Sequence, residues 1–248
     1  MKIILTLFAT LFFTMTAFSQ KQDTRYYEMR VYYCHPGKLP DLLTRFRDHT
    51  TKLFEKHGMT NVGYWVPIQN DQNALYYVLS YPTKEARADA WKAFGSDPEW
   101  QAVAKKSEEN GKIVAKVEST FMSLTDFSPA VKEKQKNPER TFELRTYTAS
   151  PKKLDDLLTR FRDHTLKLFK KHGMENIAYW KTIEKDTTQS KLVYILAHKS
   201  EEAGKASFDA FRKDLKWIKA RDESQKNGSL TVKVESIYMK PTDFSKIR

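Results

Sequence analysis

The sequence predicts an α+β fold: two tandem ferredoxin-like (βαββαβ) units, packed sheet to sheet as a pseudo-dimer within one chain. Three observations predict it. One block of the sequence is written twice. Each copy carries the element order β-α-β-β-α-β. A lone four-stranded sheet with helices on one side leaves an apolar face that a second sheet can cover.

The duplication comes first because it fixes everything after it. Leu42-Leu43-Thr44-Arg45-Phe46-Arg47-Asp48-His49-Thr50 recurs unchanged at residues 157–165. Residues 52–59 recur at 167–174 with one change, and Tyr64-Trp65 recurs as Tyr179-Trp180. Beyond a two-residue insertion between Trp180 and Tyr194, Trp100 matches Trp217, and Thr125-Asp126-Phe127-Ser128 matches Thr242-Asp243-Phe244-Ser245. The units span residues 24–128 and 140–248. The Lys/Glu/Gln-rich, proline-bounded stretch 129–139 joins them as a linker.

Within the first copy, residues 26–33 alternate and are rich in aromatic and β-branched side chains, the pattern of a strand. From Leu39, apolar residues at 42, 43, 46, 53 and 54 form the stripe of an amphipathic helix, which Thr50 and His57 continue. Gly58 then supplies a left-handed C′ position. Residues 61–66 and 75–81 are two further strands, and 84–94 a second helix. Asp97-Pro98-Glu99 combines an N-cap with proline at the first helical position, so a further helical turn restarts there and carries Trp100. Residues 112–122 form the last strand.

Composition narrows the chemistry. With 40% hydrophobic and 13% aromatic residues in 248, the chain can bury a sizeable core. Its single cysteine, Cys34, excludes an intramolecular disulfide and any zinc site needing two thiolates. Residues 1–19 read as a secretory signal peptide: a short positive start, an uncharged apolar run and the small-residue exit Ala17-Phe18-Ser19. A periplasmic or extracellular location is therefore expected, and no other segment is long and apolar enough to span a membrane. Dinucleotide, P-loop, nucleophile-elbow and zincin motifs are missing. The basic balance, +12 overall, does not indicate nucleic acid, because the aromatic signature of RNA-recognition strands is absent and the signal peptide routes the chain away from it.

Several motifs together resemble the NIPSNAP domain of the dimeric α/β-barrel superfamily. They are Tyr27-Glu28-Met29-Arg30-x-Tyr32, Arg47-Asp48-His49, Lys56-His57-Gly58, Gly63-Tyr64-Trp65, Asp97-Pro98-Glu99-Trp100 and Thr125-Asp126-Phe127-Ser128. The resemblance covers nearly all of the chain after the signal, twice. It implies a dimeric α/β barrel made within one chain and leaves the activity open. The second copy departs where Arg87 becomes Gly204, Pro98-Glu99 becomes Leu215-Lys216, and Gly37 becomes Lys152.

Candidate site residues follow from spacing. Glu28, Arg30 and Tyr32 share one strand face, as do Glu143, Arg145 and Tyr147. Each set is either an ion-pair layer fixing register or a carboxylate–guanidinium pair lining a pocket. His49 and His164 lie at the edge of the helical stripe, with rings expected to point partly inward, as a general base or as structural hydrogen-bonding groups. His57 and His172 sit in the last helical turn, where the dipole favours a cation. No metal site is expected, because no histidines stand one turn apart with a carboxylate cluster. No cofactor is expected either. Haem, bound through a histidine in some members of the wider superfamily, is a minor reading for His49 or His164.

Two functions remain open. One is a binding protein holding a small apolar or aromatic ligand among Tyr64, Trp65, Arg87, Trp91 and Trp100, or their partners Tyr179, Trp180 and Trp217; the first copy is favoured because it keeps Arg87. The other is a cofactor-independent monooxygenase or isomerase, with His49 or His164 as base and Arg30 or Arg145 stabilising an enolate-like anion. Residues 131–248 hold 27 basic and 17 acidic groups, so the second half offers an electrostatic contact to an anionic surface.

Overall fold

The computed structural model describes residues 23–136, 138–183 and 190–248. The proposed signal peptide and most of the inserted loop lie outside them. The first repeat runs β1 (Tyr26–Cys34), α1 (Leu39–Arg45), α2 (Thr51–Lys56), β2 (Thr60–Pro67), β3 (Ala74–Tyr81), α3 (Lys84–Ser96), α4 (Pro98–Ser107) and β4 (Val114–Leu124). The second repeats the order: β5 (Thr141–Ala149), α5 (Leu154–Arg160), α6 (Leu166–Lys171), β6 (Glu175–Thr182), β7 (Lys191–His198), α7 (Glu201–Arg212), α8 (Leu215–Ser224) and β8 (Thr231–Pro241).

All eight strands close into one antiparallel barrel in the order β1-β3-β2-β8-β5-β7-β6-β4. The repeats do more than face each other. Their sheet edges hydrogen-bond along two short seams, Trp65–Pro67 with Met239–Pro241 and Met122–Leu124 with Trp180–Thr182. Closure removes the apolar face that a single sheet would expose. The interior is filled by Tyr27, Met29, Trp65 and Met122 of one repeat and Phe142, Leu144, Trp180 and Met239 of the other. Trp65 packs on Phe142 and Trp180 on Tyr27, so each tryptophan meets the first strand of the opposite repeat.

The Thr-Asp-Phe-Ser motifs clasp the repeats. Ser245 Oγ accepts from the Tyr64 backbone amide and Ser128 Oγ from that of Tyr179, both at 3.0 Å. Phe244 packs on Phe46 and Tyr64, and Phe127 on Tyr179. Arg47 forks onto Asp243, and Arg162 onto Asp126. The 129–139 stretch is also strapped down: Lys134, Lys136 and Arg140 converge on Glu175, whose pKa falls to about 2 because these cations outweigh its partial burial.

The first helix departs from the sequence reading. Between α1 and α2, Phe46–Thr50 forms one wide π turn, and Phe161–Thr165 does the same between α5 and α6. Thr50 Oγ1 donates to the Arg45 carbonyl and Thr165 Oγ1 to that of Arg160, both at 3.1 Å, which helps satisfy the widened turn. At the helix end, Gly58 adopts φ +78° as expected. Gly37 also has positive φ, and Lys152 holds the same left-handed conformation in its place at φ +62°.

Candidate functional site

Strand alternation sends Tyr27, Met29 and Val31 into the barrel and Glu28, Arg30 and Tyr32 toward the helices. The same rule separates Tyr64 from Trp65. Trp65 and Trp180 are buried in the barrel, whereas Tyr64 and Tyr179 lie beneath the helices, stacked on Tyr77 and Tyr194. The expected grouping of Tyr64, Trp65, Trp91 and Trp100 around one ligand is therefore corrected: the sheet divides it.

Glu28 is fully buried under α3 and saturated. It accepts from Arg30 Nη1 at 2.7 Å, Arg87 Nε and Nη2 at 2.8 Å, Tyr81 Oη at 3.0 Å and Trp91 Nε1 at 3.2 Å. Burial raises its pKa, but Arg87 and Arg30 outweigh that and hold it below the ordinary value. Arg30 also lies 4.3 Å over the Trp91 ring. In the second repeat Glu143 accepts from Arg145, Ser236 and His198 instead. Gly204 replaces Arg87 there, and Tyr238 and His198 take up its space, 2.9–3.0 Å from where a Cβ would stand. Arg145 stacks over Phe208 and donates to Tyr147. The first network locks α3 to the sheet, whereas the second ties β5 to β7 and β8 and reaches α7 through the Arg145–Phe208 stack.

Open spaces lie elsewhere: one of about 530 Å³ sits where the end of β4 meets α5, between Asp126, Asp155 and Arg162, and two equivalent clefts lie on the helix side. A cleft of about 500 Å³ between α1 and α4 is lined by Asp41, Thr44, Arg45, His49, Ala102, Val103, Lys106, Ser107 and Asn110. Its counterpart, about 350 Å³, is lined by Lys153, Asp156, Thr159, Arg160, His164, Ala220, Glu223, Ser224 and Asn227. A buried arginine floors each. Arg45 is 6% exposed, donates to Ser107 Oγ at 3.1 Å and lies 5.4 Å over Trp100. Arg160 is 5% exposed, donates to Ser224 Oγ at 3.3 Å and lies 5.2 Å over Trp217. Burial, with no carboxylate partner among the described residues, draws the Arg160 pKa down. The Nε of each arginine is buried without a hydrogen-bond partner among the described residues.

His49 and His164 sit on the rims of these clefts and are exposed. The expectation of inward-pointing rings is corrected: the π turn holds an extra residue, which carries the histidine further from the apolar stripe while Thr50 turns in. Arg30 and Arg145 do not reach these clefts. His57 and His172 cap their helices as expected, and each ring also bonds an N-cap carboxylate, Asp97 at 2.7 Å or Asp214 at 2.8 Å.

The NIPSNAP family model matches residues 27–129 and 142–246. The chain belongs to the NIPSNAP family. It is 29% identical over 133 residues to NipSnap homolog 3A of Pongo abelii and of Homo sapiens, an alignment covering 53% of this chain and 51% of each relative. The chain thus matches about half the length of those relatives. Across the whole barrel it is similar to a Fusobacterium nucleatum protein provisionally assigned as a monooxygenase, with TM-score 0.58, 9% identity and coverage of 89% of this chain and 93% of that one. A Lactobacillus acidophilus protein with the same provisional assignment gives TM-score 0.55 at 10% identity, covering 89% and 95%. At these identities the likeness shows the dimeric α/β-barrel fold alone.

Within this NIPSNAP tandem, sequence reasoning missed Arg45, Arg160 and His198. Arg45 and Arg160 stand inside the nine-residue block repeated without change, and that identity was the available signal. His198 carried none, because Tyr81 occupies its place in the first repeat.

Proposed function

We propose that this exported tandem NIPSNAP protein binds a small organic molecule in the cleft between α1 and α4 of its first repeat. One observation carries the reading: a buried arginine, Arg45, floors an open cleft with its Nη2 donor unused among the described residues. Ala102 and Val103 supply an apolar wall, in keeping with an aromatic or aliphatic ligand body. The barrel interior and the layer under the helices are packed with aromatic side chains, which favours the helix-side clefts. Export rests on residues 1–19, and the basic second half supports contact with an anionic surface.

A second reading, a cofactor-independent isomerase or monooxygenase, draws on His49 and Arg45 lining the same cleft. An imidazole that takes a proton and a guanidinium that stabilises the resulting oxyanion are the minimum parts for enolisation. Arg45 takes the role first considered for Arg30.

The test is occupancy of the cleft. Ala102 is exposed on α4, so Ala102→Trp fills the cleft without entering the core. Saturation-transfer NMR with 3-phenylpropanol should show saturable binding to the wild-type chain that Ala102→Trp removes. Unchanged binding in that variant would refute the reading.

A further inference from the structure

The two clefts are built on the same nine-residue block and differ in what faces the buried arginine. In the first, Nη1 of Arg45 is held by Ser107, with Glu108 Oε1 at 3.5 Å; that carboxylate lies closer to Lys112, 2.9 Å away. Nε has no partner, and Nη2 makes no hydrogen bond among the described residues. Nε is sealed from solvent, so the unused donor that a ligand can reach from the cleft is Nη2. Trp100 and Ser107 fix the guanidinium from the other sides, so little side-chain entropy remains to be lost on binding.

The remaining lining residues decide what suits that edge. Lys106 brings a second, exposed cation to the cleft, with no ion-pair partner among the described residues. Asp41, the one acidic residue lining this cleft, is paired with Lys38 at 3.1 Å. Ala102 and Val103 form the apolar side. In the second repeat the equivalent positions invert. Lys106 becomes Glu223, Ala102 becomes Lys219, and Val103 becomes Ala220. Asp156 is paired with Lys153, so Glu223 faces Arg160 in that cleft as an anion with no ion-pair partner among the described residues, where the first cleft has the cation Lys106 instead.

We infer that the first-repeat cleft takes a small amphipathic carboxylate, seated on Nη2 of Arg45 with Lys106 as the second cation, and that Glu223 excludes the same molecule from the second repeat. The inference rests on the cleft being the ligand site. It adds the ligand's chemical class and a residue, Lys106, that sets specificity between the repeats.

The probe is 3-phenylpropionate, compared with its neutral analogue 3-phenylpropanol, on the same chain by calorimetry or ligand-observed NMR. Charge-assisted hydrogen bonds of this kind predict that the carboxylate binds about tenfold or more tightly than the alcohol, at one site per chain. Lys106→Glu is an exposed change that leaves the core untouched. It should cut carboxylate affinity about fivefold or more while leaving the alcohol unaffected. Arg45→Gln should abolish the preference for the carboxylate, and Arg160→Gln should leave it intact. If Arg45→Gln fails to fold, Lys106→Glu decides. Equal affinity for acid and alcohol, or a carboxylate preference that survives Lys106→Glu, would overturn the inference while leaving the cleft reading standing. Absence of saturable binding by either probe would overturn both.

Discussion

Replacing Glu28 by glutamine tests the layer that holds α3 on the sheet. The carboxylate is fully buried and carries five hydrogen bonds, three of them from Arg30 and Arg87. Glutamine keeps the volume but removes the charge that two guanidinium groups share. Breaking a buried ion pair from one side costs about 3–5 kcal/mol. The side chains of Arg30 and Arg87 retain 13% and 23% exposure, so water offsets part of the loss and the low end, about 3 kcal/mol, applies. For a domain of this size that is a fall in Tm of roughly 6–12 °C. Glu143→Gln should cost less, about 2 kcal/mol, because one arginine rather than two loses its counter-charge. Urea unfolding with an unchanged m-value gives the energies directly. The acid limb adds a sign. Glu28 has a folded-state pKa below its unfolded value, so its contribution is complete above about pH 4.5 and disappears as pH falls through the folded pKa. Wild type and Glu28→Gln should therefore converge in acid. A variant within 1 kcal/mol of wild type at neutral pH, or a gap that does not narrow at all as pH falls below about 4.5, would refute the reasoning.

Four further outcomes follow. Residues 131–248 alone should dimerise or aggregate, because Phe142, Leu144, Trp180 and Met239 lose their cover and the β6 and β8 edges lose their partners; a well-folded monomer by analytical ultracentrifugation would contradict the closed barrel. His49→Gln should leave the Tm within about 1 °C, since the ring is exposed, whereas a large drop would place it in the core. Asp97→Ala should cost about 1–2 kcal/mol by denaturant unfolding, since it removes the cap on the Glu99 amide and the partner of His57. Cys34, buried and with its thiol pushed up to about 11 by burial, should resist alkylation at pH 8 until the chain is unfolded.

Much of this was legible in the sequence, for identifiable reasons. Exact repetition exposed the duplication, and period-two alternation placed Glu28, Arg30 and Tyr32 on one face. Alternation could not say which face lay inside the barrel, because both sides of this sheet are buried, one by the opposite repeat and one by helices. That ambiguity joined Trp65 to Tyr64. The π turns were hidden because a 3.6-residue template fits Phe46 and Thr50 equally well and differs only at His49. Arg45 was overlooked because an arginine in an amphipathic helix ordinarily marks the solvent side. Its burial depends on Trp100 and Ser107, more than fifty residues away in the chain. The Thr-Asp-Phe-Ser motif was recognised as a family signature, but its work of tying each repeat to the other required the closed barrel to become visible.

Backbone amide shift mapping of the 15N-labelled chain titrated with 3-phenylpropionate tests the central claim most directly. Binding in the first-repeat cleft predicts saturable shifts concentrated at residues 41–49 and 102–110, with residues 156–164 and 220–227 unmoved. Equal shifts in both clefts, or shifts confined to the barrel strands around Trp65 and Trp180, would contradict it.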